Sequence, residues 1–143
     1  MERIKNICYI IGCGSLGCAI ADELSKNGES VVIFDKDKEA FDKIPDSFGG
    51  KTIECDMTDI NILNDSNINN SKLVVISTND ENTNIFLAHV ISKLFNVKMI
   101  IVRLNTTDKK ELIADLRNVQ PIFPFELSVE KFNDTIEELS IDD

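Results

Sequence analysis

Short apolar runs recur along this chain, and each interval between them can hold one helix. Residues 7–11, 31–35, 73–77, 99–103 and 119–123 are rich in Ile, Val, Leu and Phe, as strands are, and Thr52 to Cys55 reads as a shorter strand among them. Between them, apolar positions fall at helical spacing. In 16–26 the apolar face is Leu16, Ala19, Ile20 and Leu24. In 81–95 the belt of Ile85, Phe86, Leu87, Ala88, Val90, Ile91 and Leu94 is wider than one packing face requires. Asp37 is placed to cap a short helix through Phe41 and Ile44, before Pro45. Another short helix fits 59–63. A further one begins after Thr107 or Asp108 and runs to about 116, and a last covers 127–139, with Leu127, Phe132, Ile136 and Leu139 apolar. The run 73–77 is apolar throughout except its last residue, which suits a central parallel strand covered on both faces. Pro121 confines the sixth strand to an edge. Strands alternating with helices through right-handed crossovers predict an α/β fold with a doubly wound parallel sheet.

The turn after the first strand makes that prediction more specific. It reads Gly12-Cys13-Gly14-Ser15-Leu16-Gly17, and the second strand ends in Asp35. Strand, glycine loop, helix, strand and acid in that order form a dinucleotide-binding βαβ unit. Gly12 allows the tight turn, Gly14 lets backbone approach a pyrophosphate, and Gly17 lets the helix pack closely on the sheet. The helix then turns its unpaired N–H groups and positive dipole end toward the phosphates. Asp35 is placed to accept hydrogen bonds from ribose hydroxyls and to repel a 2′-phosphate, with Lys36 beside it moderating that repulsion. The fold is therefore expected to be Rossmann-like, six strands in the order 3-2-1-4-5-6, with a ligand crevice at the carboxyl ends of strands one and four. No Pro/Gly/Ser-rich linker interrupts the pattern. Residues 1–143 are expected to form one domain, about 1–125 being the core and 126–143 a C-terminal helix.

Composition narrows the ligands and partners. The chain has 143 residues, 43% apolar and 28% charged, with a net charge of −10. Such an acidic surface argues against general binding to nucleic acid or anionic membranes. No apolar run approaches the ~20 residues that span a bilayer, and the N-terminus lacks the apolar segment of a signal peptide. A cytoplasmic location follows as an expectation. Cys8, Cys13, Cys18 and Cys55 are scattered over strand, loop and helix, without metal-ligand spacing, and are read as free small hydrophobes. Cys13, near a helix N-terminus, is the one whose position can activate a thiol.

The other strand ends name the remaining candidates. Asp56 and Met57 follow strand three, beside where an adenine would lie. Thr78, Asn79 and Asp80 follow strand four, where capping and ligand contact are both open roles. Asn84 stands one turn into the next helix, within reach of the crevice. Arg103 suits either a phosphate or a structural ion pair. His89, the single histidine, lies mid-helix and reads as a packing or surface residue. No nucleophile and base can be assembled into a catalytic set, so the chain is expected to hold a nucleotide without chemistry beside it.

These segments resemble a known family, the N-terminal nucleotide-binding (RCK or KTN) domain of TrkA- and KtrA-type potassium uptake regulators. The resemblance rests on Ile10 to Gly17, on Val32-Ile33-Phe34-Asp35-Lys36-Asp37, on Glu54 to Thr58, on Ile76 to Asn84, and on Ile100 to Arg103. It implies binding of NAD(H) or of ATP, ADP or AMP through Gly12, Gly14, Asp35, Asp56, Thr78, Asn79, Asn84 and Arg103. It also implies a homodimer or larger ring beneath a membrane potassium transporter subunit, gated by nucleotide state, with the long fourth helix and the last helix at subunit contacts. Ser15 stands where the family usually has Arg, which removes one phosphate-pairing group. The family's C-terminal ligand-sensing domain does not follow; the chain reads as a stand-alone subunit or as part of something longer. Glu126 lies one place off a family acid and is given no metal role. Two other readings remain: an NAD-dependent oxidoreductase domain, and a non-catalytic scaffold with a degenerate nucleotide site.

Overall fold

The computed structural model describes residues 5–141. Residues 1–4 and 142–143, which the sequence assigns to the ends of the same domain, lie outside the described residues. Six strands form one sheet: β1 Lys5–Ile11, β2 Ser30–Asp35, β3 Lys51–Glu54, β4 Ser71–Ile76, β5 Val97–Arg103 and β6 Val119–Ile122. Their order is β3-β2-β1-β4-β5-β6 and every neighbouring pair is parallel. This is the doubly wound order expected from the sequence. The α-helices are α1 Ser15–Lys26, α2 Ile60–Asp65, α3 Glu81–Leu94 and α4 Pro124–Ile141.

The central strands show why apolar runs became strands. In β1, Cys8 and Ile10 point to one face and join Ile33, Val75, Cys18 and Ala21 beneath α1. Tyr9 and Ile11 point to the other and join Val74, Ile76, Leu87 and Ile91 beneath α3. Both faces are covered, so both residue parities are apolar. Each fully buried Ile or Leu contributes about 1.5–3 kcal/mol of transfer free energy. Pro121 lies opposite Val102 on edge strand β6, where a missing N–H leaves no further neighbour unpaired.

Three expectations change in detail. The buried stripe of α1 is Gly17, Cys18, Ala21 and Asp22, whereas Ala19 is exposed and Leu16, Ile20 and Leu24 are half-buried. Gly17 brings the helix so close to the sheet that only small residues fit between, and the larger ones move to the margins. The segments around 38–44 and 107–116 form 3₁₀ helices, Lys38–Lys43 and Thr107–Ile113, the tighter form common in short connecting helices. The last helix starts earlier than expected, with Pro124 at its first position, where a missing N–H costs nothing. The breadth of the α3 belt is as expected: Leu87, Ala88 and Ile91 are buried, while Phe86 and Leu94 stay exposed. Among the described residues no helix is long and apolar enough to cross a membrane.

Candidate functional site

The site begins where β1 and β4, side by side, run out of sheet. Gly12 has φ +102°, and its N–H donates to the Phe34 carbonyl at 2.8 Å. A Cβ there would lie 2.7 Å from the Thr78 nitrogen, so only glycine lets the loop pass the end of β4. A Cβ on Gly17 would lie 2.1 Å from the Gly12 carbonyl oxygen and 2.7 Å from Ser77 Oγ. The buried Ser77 hydroxyl donates to that same Gly12 oxygen at 3.1 Å. Strand end, loop and helix are therefore locked together at one point.

Gly14 is the N-cap of α1 and has no side chain to cap it, and the first turn of α1 holds no acidic residue. The leading N–H groups of that helix are left for another acceptor. Three other helices are capped by carboxylates of the chain, whereas the 3₁₀ helix Thr107–Ile113, after Thr106, also has no side-chain cap. Asp37 accepts from Glu39, Asp59 from Asn61 and Asp80 from Thr83.

Asp35 faces this loop from the end of β2. Its Oδ2 accepts from the Cys13 N–H at 2.7 Å and its Oδ1 from the Asp37 N–H at 2.8 Å. A carboxylate offers about four acceptor positions, so two remain. The carboxylate thus ties loop to strand and keeps capacity for further partners. Farther along, Asp56 accepts from the Thr58 hydroxyl at 2.6 Å and the Thr58 N–H at 3.0 Å. These bonds, with the charge of Lys36 as a smaller contribution, hold its carboxyl below the usual range.

Across the crevice, Asn84 is fully buried and satisfied. Its Oδ1 accepts from the Thr78 hydroxyl and N–H at 2.5 and 3.1 Å, and its Nδ2 donates to the carbonyls of Thr78 and Arg103 at 3.0 and 3.1 Å. Asn84 does not reach the crevice; it ties β4 to β5 and shapes the wall. Arg103 forms no ion pair among the described residues. Its guanidinium lies 5.4 Å over the Phe125 ring, and its Nε is buried without a partner.

A cleft of about 640 Å³ opens between these walls. Ten of the expected site residues line it: Gly12, Cys13, Gly14 and Asp35, Lys36, Asp56, then Met57, Thr78, Asn79, Asp80. Ser15, Leu16 and Gly17 form the first turn of α1 behind it, and Asn84 and Arg103 stand off.

With that geometry in place the chain can be compared with known proteins. The model of the TrkA-N domain matches residues 8–122. The chain belongs to the TrkA-N domain family. It is 30% identical over 122 residues to the Trk system potassium uptake protein TrkA homolog of Pyrococcus horikoshii, covering 85% of this chain and 53% of that protein. The chain spans about half the length of the curated relatives it matches. Among solved structures, the GsuK channel bound to NAD aligns with TM-score 0.79 and 21% identity, over 98% of this chain and 25% of that one. The Kef C-terminal domain of Shewanella denitrificans in AMP-bound form aligns with TM-score 0.69 and 20% identity, over 95% and 80%. At those identities the likeness is one of fold.

Of two smaller expectations for this TrkA-N chain, thiol activation at Cys13 is corrected, while His89 has a structural contact in keeping with its reading as a packing residue. The Cys13 thiol is buried, and burial first, then its hydrogen bond with Cys18, pushes its pKa far up, so the helix terminus does not activate it. His89 Nε2 lies 2.6 Å from the Leu112 carbonyl and joins α3 to the second 3₁₀ helix. The sequence reading passed over Lys43, Cys55 and Thr83, which also line the cleft. Lys43 had a legible clue, since the helix capped by Asp37 ends there, at the rim that Asp35 opens.

Proposed function

We propose that this chain is the nucleotide-sensing part of a regulatory subunit for a Trk- or Ktr-type potassium uptake system. It binds NAD(H) or an adenine nucleotide, ATP, ADP or AMP, and performs no chemistry on it. The observation that carries the reading is the uncapped N-terminus of α1 opening on a cleft whose facing wall holds Asp35. In this reading the phosphates take the N–H groups of 14–17, Asp35 takes the ribose hydroxyls with its remaining acceptor positions, and the adenine lies beside Asp56 and Met57. Thr78, Asn79 and Asp80 close the opposite wall, with Asn84 and Arg103 supporting it. The chain up to about 123 is the nucleotide-binding core in this reading, and the last helix, Pro124–Ile141, belongs to subunit contacts.

The rest of the proposal extends from family membership. In it the chain works on the cytoplasmic side, as a homodimer or ring docked to a membrane transporter subunit, and nucleotide state alters the pore through that contact. Support comes from the named relative and from neighbours of the same fold that hold NAD and AMP. Thermal denaturation with NADH, ATP, ADP and AMP tests the binding half. A rise in Tm with at least one of them is expected. No shift with any of the four at millimolar concentration contradicts it.

A further inference from the structure

We propose that Lys43, at the end of the first 3₁₀ helix, is the side chain that takes the phosphate of a nucleotide bound in the cleft. The inference rests on the nucleotide-binding reading and adds the residue that supplies its positive charge. The cleft is lined by the carboxylates of Asp35, Asp37, Glu39, Asp56 and Asp80, against the ammonium groups of Lys36 and Lys43 alone. A phosphate entering such walls meets net repulsion unless a cation is aimed at it. The glycine loop offers none, since no Lys or Arg stands between 12 and 17. Arg103 is engaged with Phe125 and lines no part of the cleft. Lys36 follows the end of β2, and its charge acts on Asp56, on the side assigned to the adenine rather than to the phosphates.

Lys43 acts toward the loop instead. Like Lys36, it forms neither of the ion pairs found among the described residues, which are Lys26–Asp22 and Lys72–Glu29. It lines the cleft, and its charge is felt at Cys13, the second residue of the loop. The helix that carries it is held in place at both ends. Asp37 accepts from the Glu39 N–H at 3.0 Å at its start, and Phe41 and Ile44 pack on the core beneath α1. A firmly placed backbone thus presents a flexible, unpaired ammonium to the space in front of the loop, as a point-charge phosphate contact requires.

Calorimetric titration of the wild-type chain, Lys43→Gln and Lys43→Arg with AMP and NAD⁺, and with adenosine by competition, tests this. Lys43→Gln is expected to weaken AMP and NAD⁺ by roughly tenfold, the scale of one charge-assisted contact. Adenosine affinity is expected to stay unchanged, and Lys43→Arg to restore most of the loss. Wild-type AMP affinity in Lys43→Gln, or an equal fall for adenosine, overturns the assignment while leaving nucleotide binding intact. If the wild-type chain takes none of the three, the nucleotide reading fails and this one with it.

Discussion

Helices α1 and α3 leave neighbouring parallel strands at the same rim, yet their first turns are built in opposite ways. α3 is capped by Asp80, which accepts from Thr83, and one turn later Asn84 uses all of its amide bonds inside the protein. α1 starts on a glycine, has no side-chain cap and carries no acid in its first turn. The sheet alone dictates neither arrangement. The contrast teaches that one helix start is finished by a side chain of the protein and the other has no side-chain cap, which is the feature the proposed nucleotide site uses.

That contrast can be broken most severely at Gly17. Replacing it with Ala places a methyl 2.1 Å from the Gly12 carbonyl and is expected to cost upwards of about 3 kcal/mol in chemical denaturation. A cost under about 1 kcal/mol would mean that α1 is not pressed against the loop. On the α3 side, Asn84→Ala leaves the Thr78 N–H and the Thr78 and Arg103 carbonyls without a partner. It is expected to destabilise by about 2–3 kcal/mol in the same measurement. Because Asn84 faces the interior, its loss should act on stability before it acts on ligand affinity.

Much of this was legible in the chain and some of it was not. The strand order followed from six apolar runs with room for one helix between each pair. The glycine loop followed from Gly12, Gly14 and Gly17 ahead of Asp35. Local patterns also announced Asp37 as a cap and left Asp80 open between capping and ligand contact. What stayed hidden depends on contacts distant in sequence. The role of Asn84 is fixed by the Arg103 carbonyl on the next strand. The buried stripe of α1 shifted to Cys18 and Ala21 because Gly17 sets the distance to the sheet. Arg103 looked like an anion or ion-pair residue until Phe125 of α4 arrived under it.

Smaller effects sharpen the comparison. Asp35→Asn should lower nucleotide affinity by roughly tenfold in calorimetry, since its amide must present N–H₂ to the Cys13 or Asp37 N–H and offers fewer acceptor positions to a ribose. Asp80→Ala should cost about 1 kcal/mol, the usual value of an N-cap. The smallest effect is a pH dependence in the body of α1. There Lys26, and to a lesser extent Ser47, hold the Asp22 carboxyl below its ordinary value of 3.8. A lowered folded value means that the stabilisation is present above 3.8 and is lost only as pH falls below it. Asp22→Asn should therefore flatten the acid limb of the stability profile and leave its neutral slope unchanged.

The most direct measurement is an amide NMR titration of the chain with AMP or NADH. Binding at the open helix start predicts that the largest shifts fall on the N–H groups of Gly14, Ser15, Leu16 and Gly17, with that of Asn84, behind the wall on α3, less changed. Saturable binding that leaves the four α1 amides unmoved would contradict the account.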